Sequence, residues 1–169
     1  MKRRGLGMLV LALCFALGLS SPSWAASDVE IALFVCLSGS AADLGTMSRD
    51  GAILAAEDVN QAGGIKALGG AKLKLVVADV TSTVAQGPSV VERTLSTQKI
   101  SGAIGFGMSQ MTLTCLPVLE KAQVPLTTSS ISDKITSQGY KYVFQIAPKG
   151  SHFGANQVKF LTYLKNKYK

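Results

Sequence analysis

The sequence of 169 residues predicts an α/β domain, a doubly wound parallel sheet, and three observations lead there. Short apolar runs alternate with longer stretches whose apolar residues recur at three- and four-residue spacing. No hairpin signal joins one apolar run to the next. The run Glu30–Cys36 is apolar almost throughout, as expected of a strand buried on both faces. Alternation without hairpins means parallel strands joined by helical crossovers.

The elements follow in order. Glu30–Cys36 is the first strand, and a polar loop through Ser38, Ser40 and Asp43 follows it. Leu44, Met47, Gly51, Leu54, Ala55, Val59 and Ala62 mark the inner face of a helix that ends at Gly63-Gly64. Leu73–Asp79 is the second strand. Val84–Gln98 is the second helix, with Val84, Val91 and Leu95 inward, and Pro88 can delay its start. Ile100–Phe106 is the third strand. Ser109–Ala122 is the third helix, with Leu113, Leu116 and Leu119 inward. Pro117 removes one bond inside it and should bend its axis. Val124–Thr127 and Tyr142–Ile146 are the fourth and fifth strands. Ser151–Lys165 is the last helix, with Phe153, Val158, Leu161 and Leu164 inward.

Charge separates the ends from the body. The formal net charge is +7, but residues 27–140 hold eight basic and ten acidic side chains, a net of −2. A phosphate-tracking basic groove is therefore excluded for the body, and nucleic acid is not an expected partner. Lys2-Arg3-Arg4, the uncharged stretch Gly5–Leu19, Pro22 and the small residues Ser23 and Ala25 read as a secretory signal peptide, residues 1–25, cleaved after Ala25. Export to an oxidising compartment permits a disulfide between Cys36 and Cys115, while their apolar neighbourhoods favour unpaired core thiols. No C-x-x-C pair and a single histidine leave a zinc site without support.

In an open parallel sheet a ligand sits beyond the carboxyl ends of the strands. Three loops there share small, hydroxyl-bearing residues: Leu37–Ser40, Gly105–Gln110 and Thr127–Ser130. Ser109 opens the third helix, whose first turn leaves N–H groups free and carries partial positive charge. A carboxylate fits there without a lysine or arginine; Ser109 as a plain N-cap is the competing reading. Catalytic motifs fail on spacing. Gly39 to Gly45 is not a P-loop, Gly107–Met111 lacks the second glycine of a nucleophile elbow, and Asp79 has no partner carboxylate near it in sequence. An enzyme is not expected, and no cofactor is implied.

Several segments together resemble the Leu/Ile/Val-binding family of periplasmic binding proteins. They are Leu37–Ala42, Asp58–Ile65, Leu73–Asp79, Val124–Leu126, Gly139–Phe144 and Ala147-Pro148. The resemblance implies a solute receptor of an ABC importer. Two α/β lobes would close on a small ligand and dock on a membrane permease, in the periplasm. It implies ligand contacts at Leu44, Ser109, Ser129 and Ile131, and the three loops add Ser38, Gln110 and Ser130 to the expected site. Ser109 stands where the family bonds the ligand carboxylate, and Ser129 where a small residue offers its backbone. Four positions depart from the pattern. Ile131 replaces a threonine, Leu44 an aromatic residue, Ser40 a proline and Gly150 an acidic residue. The carboxylate end of the site is kept and the amine end is altered, so an aromatic or branched organic acid fits as well as leucine.

The resemblance also implies a division. Residues 26–147 correspond to part of lobe one, and 148–169 to the crossover and first helix of lobe two, with most of lobe two absent. Such a chain is expected to bind weakly or not at all, and its last helix to be exposed. An extracellular ligand-sensing domain of the same fold, and an interaction fragment without a ligand, are the alternatives.

Overall fold

The computed structural model describes residues 27–168. The expected signal segment and its cleavage site lie outside them. Five strands form one parallel sheet: β1 (Val29–Val35), β2 (Leu73–Asp79), β3 (Ile100–Gly105), β4 (Leu126–Thr128) and β5 (Val143–Gln145). Their order is β2-β1-β3-β4-β5. Four helices accompany them: α1 (Ala42–Gln61), α2 (Gly87–Thr97), α3 (Ser109–Lys121) and α4 (Gly150–Lys167). Every adjacent strand pair is parallel, so the expected doubly wound class is what the chain forms. Among the described residues, no helix is long and apolar enough to cross a membrane.

The two faces of the sheet differ. On one, Ala32, Phe34, Ala103, Leu126 and Val143 meet Val91 of α2 and Met111, Cys115, Leu116 and Leu119 of α3. This is the main core, and the Phe34 and Phe106 rings stack within it, 5.3 Å between centroids. The register sets Val77, Leu33, Ile104, Thr127 and Phe144 side by side across the other face. Among the described residues, α1 is the helix that packs there, against β1 and β2. Leu33 is 1% exposed, but Ile104 is 40% and Phe144 54%.

Two expected inner faces are not the buried ones. The structure turns Gly45, Ala52, Ile53 and Ala56 of α1 inward and leaves Leu44, Met47 and Leu54 mostly exposed. Gly45 explains the rotation. A Cβ there would lie 1.7 Å from the carbonyl oxygen of Cys36, so the only side of the helix that can approach β1 this closely is the glycine side. In α4 no residue is buried, and Phe153, Val158 and Leu161 all face solvent. An exposed last helix was the other expectation, and it is the one the structure shows. Among the other elements, α2 starts at Gly87 with Pro88 in its first turn, after a single 3₁₀ turn at Val84–Gln86. Helix α3 runs through Pro117, which is exposed, so the missing bond falls on the solvent side.

Candidate functional site

Strand order reverses at β1: chain leaves it for β2 on one side and reaches β3 on the other. The crevice beyond the carboxyl ends of β1 and β3 is thus the switch point of the sheet. The turns after β1, β3 and β4 all open onto this rim, because the strands are parallel.

The first turn is pinned from the β2 side. Oδ1 of Asp79 accepts the N–H groups of Leu37 and Thr81, each at 2.8 Å. The Ser82 hydroxyl donates to the Ser38 carbonyl at 2.8 Å and accepts the Ala41 N–H at 2.9 Å. Burial pushes the Asp79 carboxyl up, but the Leu37 and Thr81 amides and the Ser38 hydroxyl and amide outweigh it, so its pKa lies below the ordinary value. Ser38 itself is exposed, and its hydroxyl belongs to this Asp79 network.

The second turn leads into α3. Met108 is the N-cap, extended in backbone and giving no side-chain cap, and Ser109 is the first helical residue. Ser109 thus follows the N-cap by one residue. Its Oγ accepts the Ser132 N–H at 3.3 Å and so joins the β3 turn to the β4 turn. The uncapped first turn leaves its leading N–H groups for solvent or a ligand. Gln110 is exposed beside it.

The third turn is braced from below. The Ser130 hydroxyl, 1% exposed, lies 2.7 Å from that of Thr112. The Gln145 side-chain amide donates to the carbonyls of Ser130, at 2.7 Å, and Ser132, at 3.3 Å. Ser129 and Ile131 remain exposed on the surface. Beyond them, Asp133 accepts the N–H and hydroxyl of Ser151 and hooks the start of α4 to this loop. Those bonds and the nearby Lys149 hold the Asp133 carboxyl below its ordinary pKa.

Between the first two turns lies a cavity of about 120 Å³. The structure brings Leu44 and Ser129 together in its wall, with Met108, Ile104, Thr127 and Ile146. Ser38, Ser109, Gln110, Ser130 and Ile131 share the rim but do not line this cavity. The lining is mainly apolar, with hydroxyls from Ser48, Thr127 and Ser129. Sequence reasoning missed Asp79 and Ser82 as the anchors of the first turn, and Thr112 and Gln145 as those of the third. Nothing local marks them, since each acts on a segment 15 to 44 residues away. Cys36 and Cys115 are free thiols. Cys36 Sγ donates to Met108 Sδ at 3.7 Å. Among the described residues no cluster of three or more His, Cys, Asp or Glu could hold a metal.

The doubly wound sheet thus sets an apolar cavity and three hydroxyl-bearing turns on one rim at its switch point. Residues 28–167 match the family described as periplasmic binding protein, and the chain belongs to that family, one of binding proteins and not of enzymes. It is 33% identical over 141 residues to the leucine-, isoleucine-, valine-, threonine- and alanine-binding protein of Pseudomonas aeruginosa, covering 83% of this chain and 36% of that one. To the Leu/Ile/Val/Thr-binding protein of Salmonella typhimurium it is 30% identical, covering 92% and 41%. Among solved structures it resembles LivJ, the branched-chain amino acid transporter substrate-binding protein of Streptococcus pneumoniae, in complex with isoleucine. The TM-score is 0.68 at 31% identity, over 73% of this chain and 34% of that one. The chain thus spans about two fifths or less of the length of these relatives.

Proposed function

We propose that this chain is the N-terminal portion of a solute receptor of an ABC importer, holding a small carboxylate such as a branched-chain amino acid. The observation that carries the reading is the uncapped first turn of α3, opening on the same rim as an apolar cavity at the switch point. The carboxylate meets the free N–H groups near Ser109, and the apolar body lies against Leu44, Ile104 and Ile146. Relatives named for leucine, isoleucine and valine support that substrate class. Residues 26–147 form part of the first lobe, and 148–169 lead into a second. Export to the periplasm by a signal segment ending at Ala25, and docking on a membrane permease, complete the reading. One lobe covers only one side of a ligand, so binding by this chain alone is weak.

A second ligand class has its own observation. At the altered amine end Ile131 is 49% exposed and apolar, and the nearby Asp133 is engaged by Ser151. A carboxylate without an amine, such as an aromatic or branched organic acid, needs no partner there.

The test is a titration of the isotope-labelled chain with leucine, isoleucine, valine and benzoate, followed by amide chemical shifts. Millimolar, saturable shifts confined to Leu44, Ser109–Met111 and Ser129 are expected, and Ser109→Ala should weaken them. Micromolar affinity would overturn the impaired-binding reading. Shifts absent at 50-fold the expected range (on the order of 50 mM), or located elsewhere, would overturn the site.

A further inference from the structure

One short loop on the rim meets each part of the site in turn. Ser129 lines the cavity. Ser130 is anchored from below by its bonds with Thr112 and Gln145. The Ile131 carbonyl accepts the Gly150 N–H at 2.8 Å, at the start of α4. The Ser132 N–H donates to Ser109 Oγ at 3.3 Å, in the first turn of α3. Asp133 accepts the Ser151 N–H at 3.1 Å and the Ser151 hydroxyl as well. Consecutive residues thus tie the cavity, the core, α3 and α4 to one another.

Asp133 does for α4 what the N-cap of that helix does not. That residue is Lys149, whose ammonium donates and cannot accept the free N–H groups of the first turn. Asp133 brings the acceptor from another segment, and its negative charge faces the positive end of the helix. No residue of α4 is buried, so the Ser151 and Gly150 bonds at its first turn carry the task of placing it against the rim. Ser109 stands at the other end of the loop's connections. A hydroxyl can accept one bond and donate another. Its oxygen accepts from Ser132, which leaves its proton to donate to an anion at the first turn of α3. A hydroxyl that donates to an anion becomes the better acceptor, so an anion there strengthens the Ser132 bond. At 3.3 Å that bond is long and has room to shorten.

We propose that Ser129–Asp133 is a coupling strap with Asp133 as its positioning residue: an anion seated at the first turn of α3 draws in Ser132 through Ser109, tightens the Asp133 clasp and so sets α4. The inference rests on the proposed carboxylate at that turn. Gln145 lets the strap move as a unit, because its amide holds the Ser130 and Ser132 carbonyls together. Coupling between two sites is reciprocal, so a loosened clasp weakens anion binding by the factor with which the anion tightens the clasp.

Amide exchange of the isotope-labelled chain, with and without leucine or benzoate, tests it. At saturating probe, exchange of the Gly150 and Ser151 amides should slow about fivefold, and Ser109→Ala should abolish the slowing. Asp133→Ala should raise the probe's dissociation constant by about the same factor. Asp133→Asn, which keeps an acceptor, should restore most of the loss. Ser151→Ala, which removes one bond of the clasp at an exposed position, should give a smaller rise. A dissociation constant unchanged in Asp133→Ala would make the clasp merely structural and overturn the proposal. Probe shifts at Ser109–Met111 with unaltered Gly150 and Ser151 exchange would also overturn it, and the ligand site would survive that result. No shift at Ser109–Met111 would remove the ligand site and the coupling with it.

Discussion

The carboxylate of Asp79, last residue of β2, accepts the backbone N–H of Leu37 at 2.8 Å, where the chain leaves β1. One side chain thereby fixes the path of the turn that leads to Leu44 and the cavity. It also accepts the Thr81 N–H, so two buried or half-buried backbone donors depend on it. Replacing it by alanine should cost about 1–3 kcal/mol in urea unfolding. The pH dependence has a definite sign. The folded pKa is depressed, so this stabilisation is complete above the unfolded value of about 3.9 and is lost as pH falls through the folded value. Asp79→Asn should be less stable than the parent at pH 6, with the gap narrowing below about pH 4. A gap that widens in acid would refute this role.

Gly45 offers a test of what sets the rotation of α1. Alanine is the better helix former by about 1 kcal/mol. Its Cβ would nevertheless sit 1.7 Å from the Cys36 oxygen, against backbone that cannot yield. The clash should win, and Gly45→Ala should destabilise by about 3 kcal/mol or more. Gly51→Ala, where nothing lies within 4 Å, should be neutral or stabilising in the same thermal scan.

The hydroxyls of Thr112 and Ser130 satisfy one another 2.7 Å apart, where water does not reach. Thr112→Val keeps the shape and leaves Ser130 Oγ short of a partner. A loss of about 1–3 kcal/mol is expected. The double variant Thr112→Val with Ser130→Ala should recover part of it. A double-mutant cycle with no coupling would show that the pair does not brace the rim.

Both thiols should be inert in the folded chain. Burial pushes Cys115 up to about 12. Burial, and then the Asp79 charge, raises Cys36 as well. In a Cys14→Ser chain at pH 8, an aromatic disulfide reagent should give no colour until urea is added, and then two equivalents. Fast labelling without denaturant would contradict the packing around α3.

The alternation of apolar runs and amphipathic stretches determined the parallel sheet, because each pattern suits one kind of burial. It also placed Ser109 at a helix start and Pro88 in the first turn of α2, since proline and hydroxyl residues act on backbone within a few residues of themselves. The three hydroxyl-bearing turns had to open on one edge, because parallel strands end on the same side. Tertiary structure decided what spacing could not. Whether Leu44 and Met47 or Gly45 and Ala56 faced the sheet depended on one close approach, to a carbonyl nine residues earlier. Whether Phe153 and Leu161 were buried depended on a neighbour that an amphipathic stripe requires but does not supply. Ser38 was drawn into the Asp79 network, and Ser109 was bonded to Ser132, by contacts across 41 and 23 residues. Local sequence fixes which face of an element is apolar; only the packed chain fixes what that face meets.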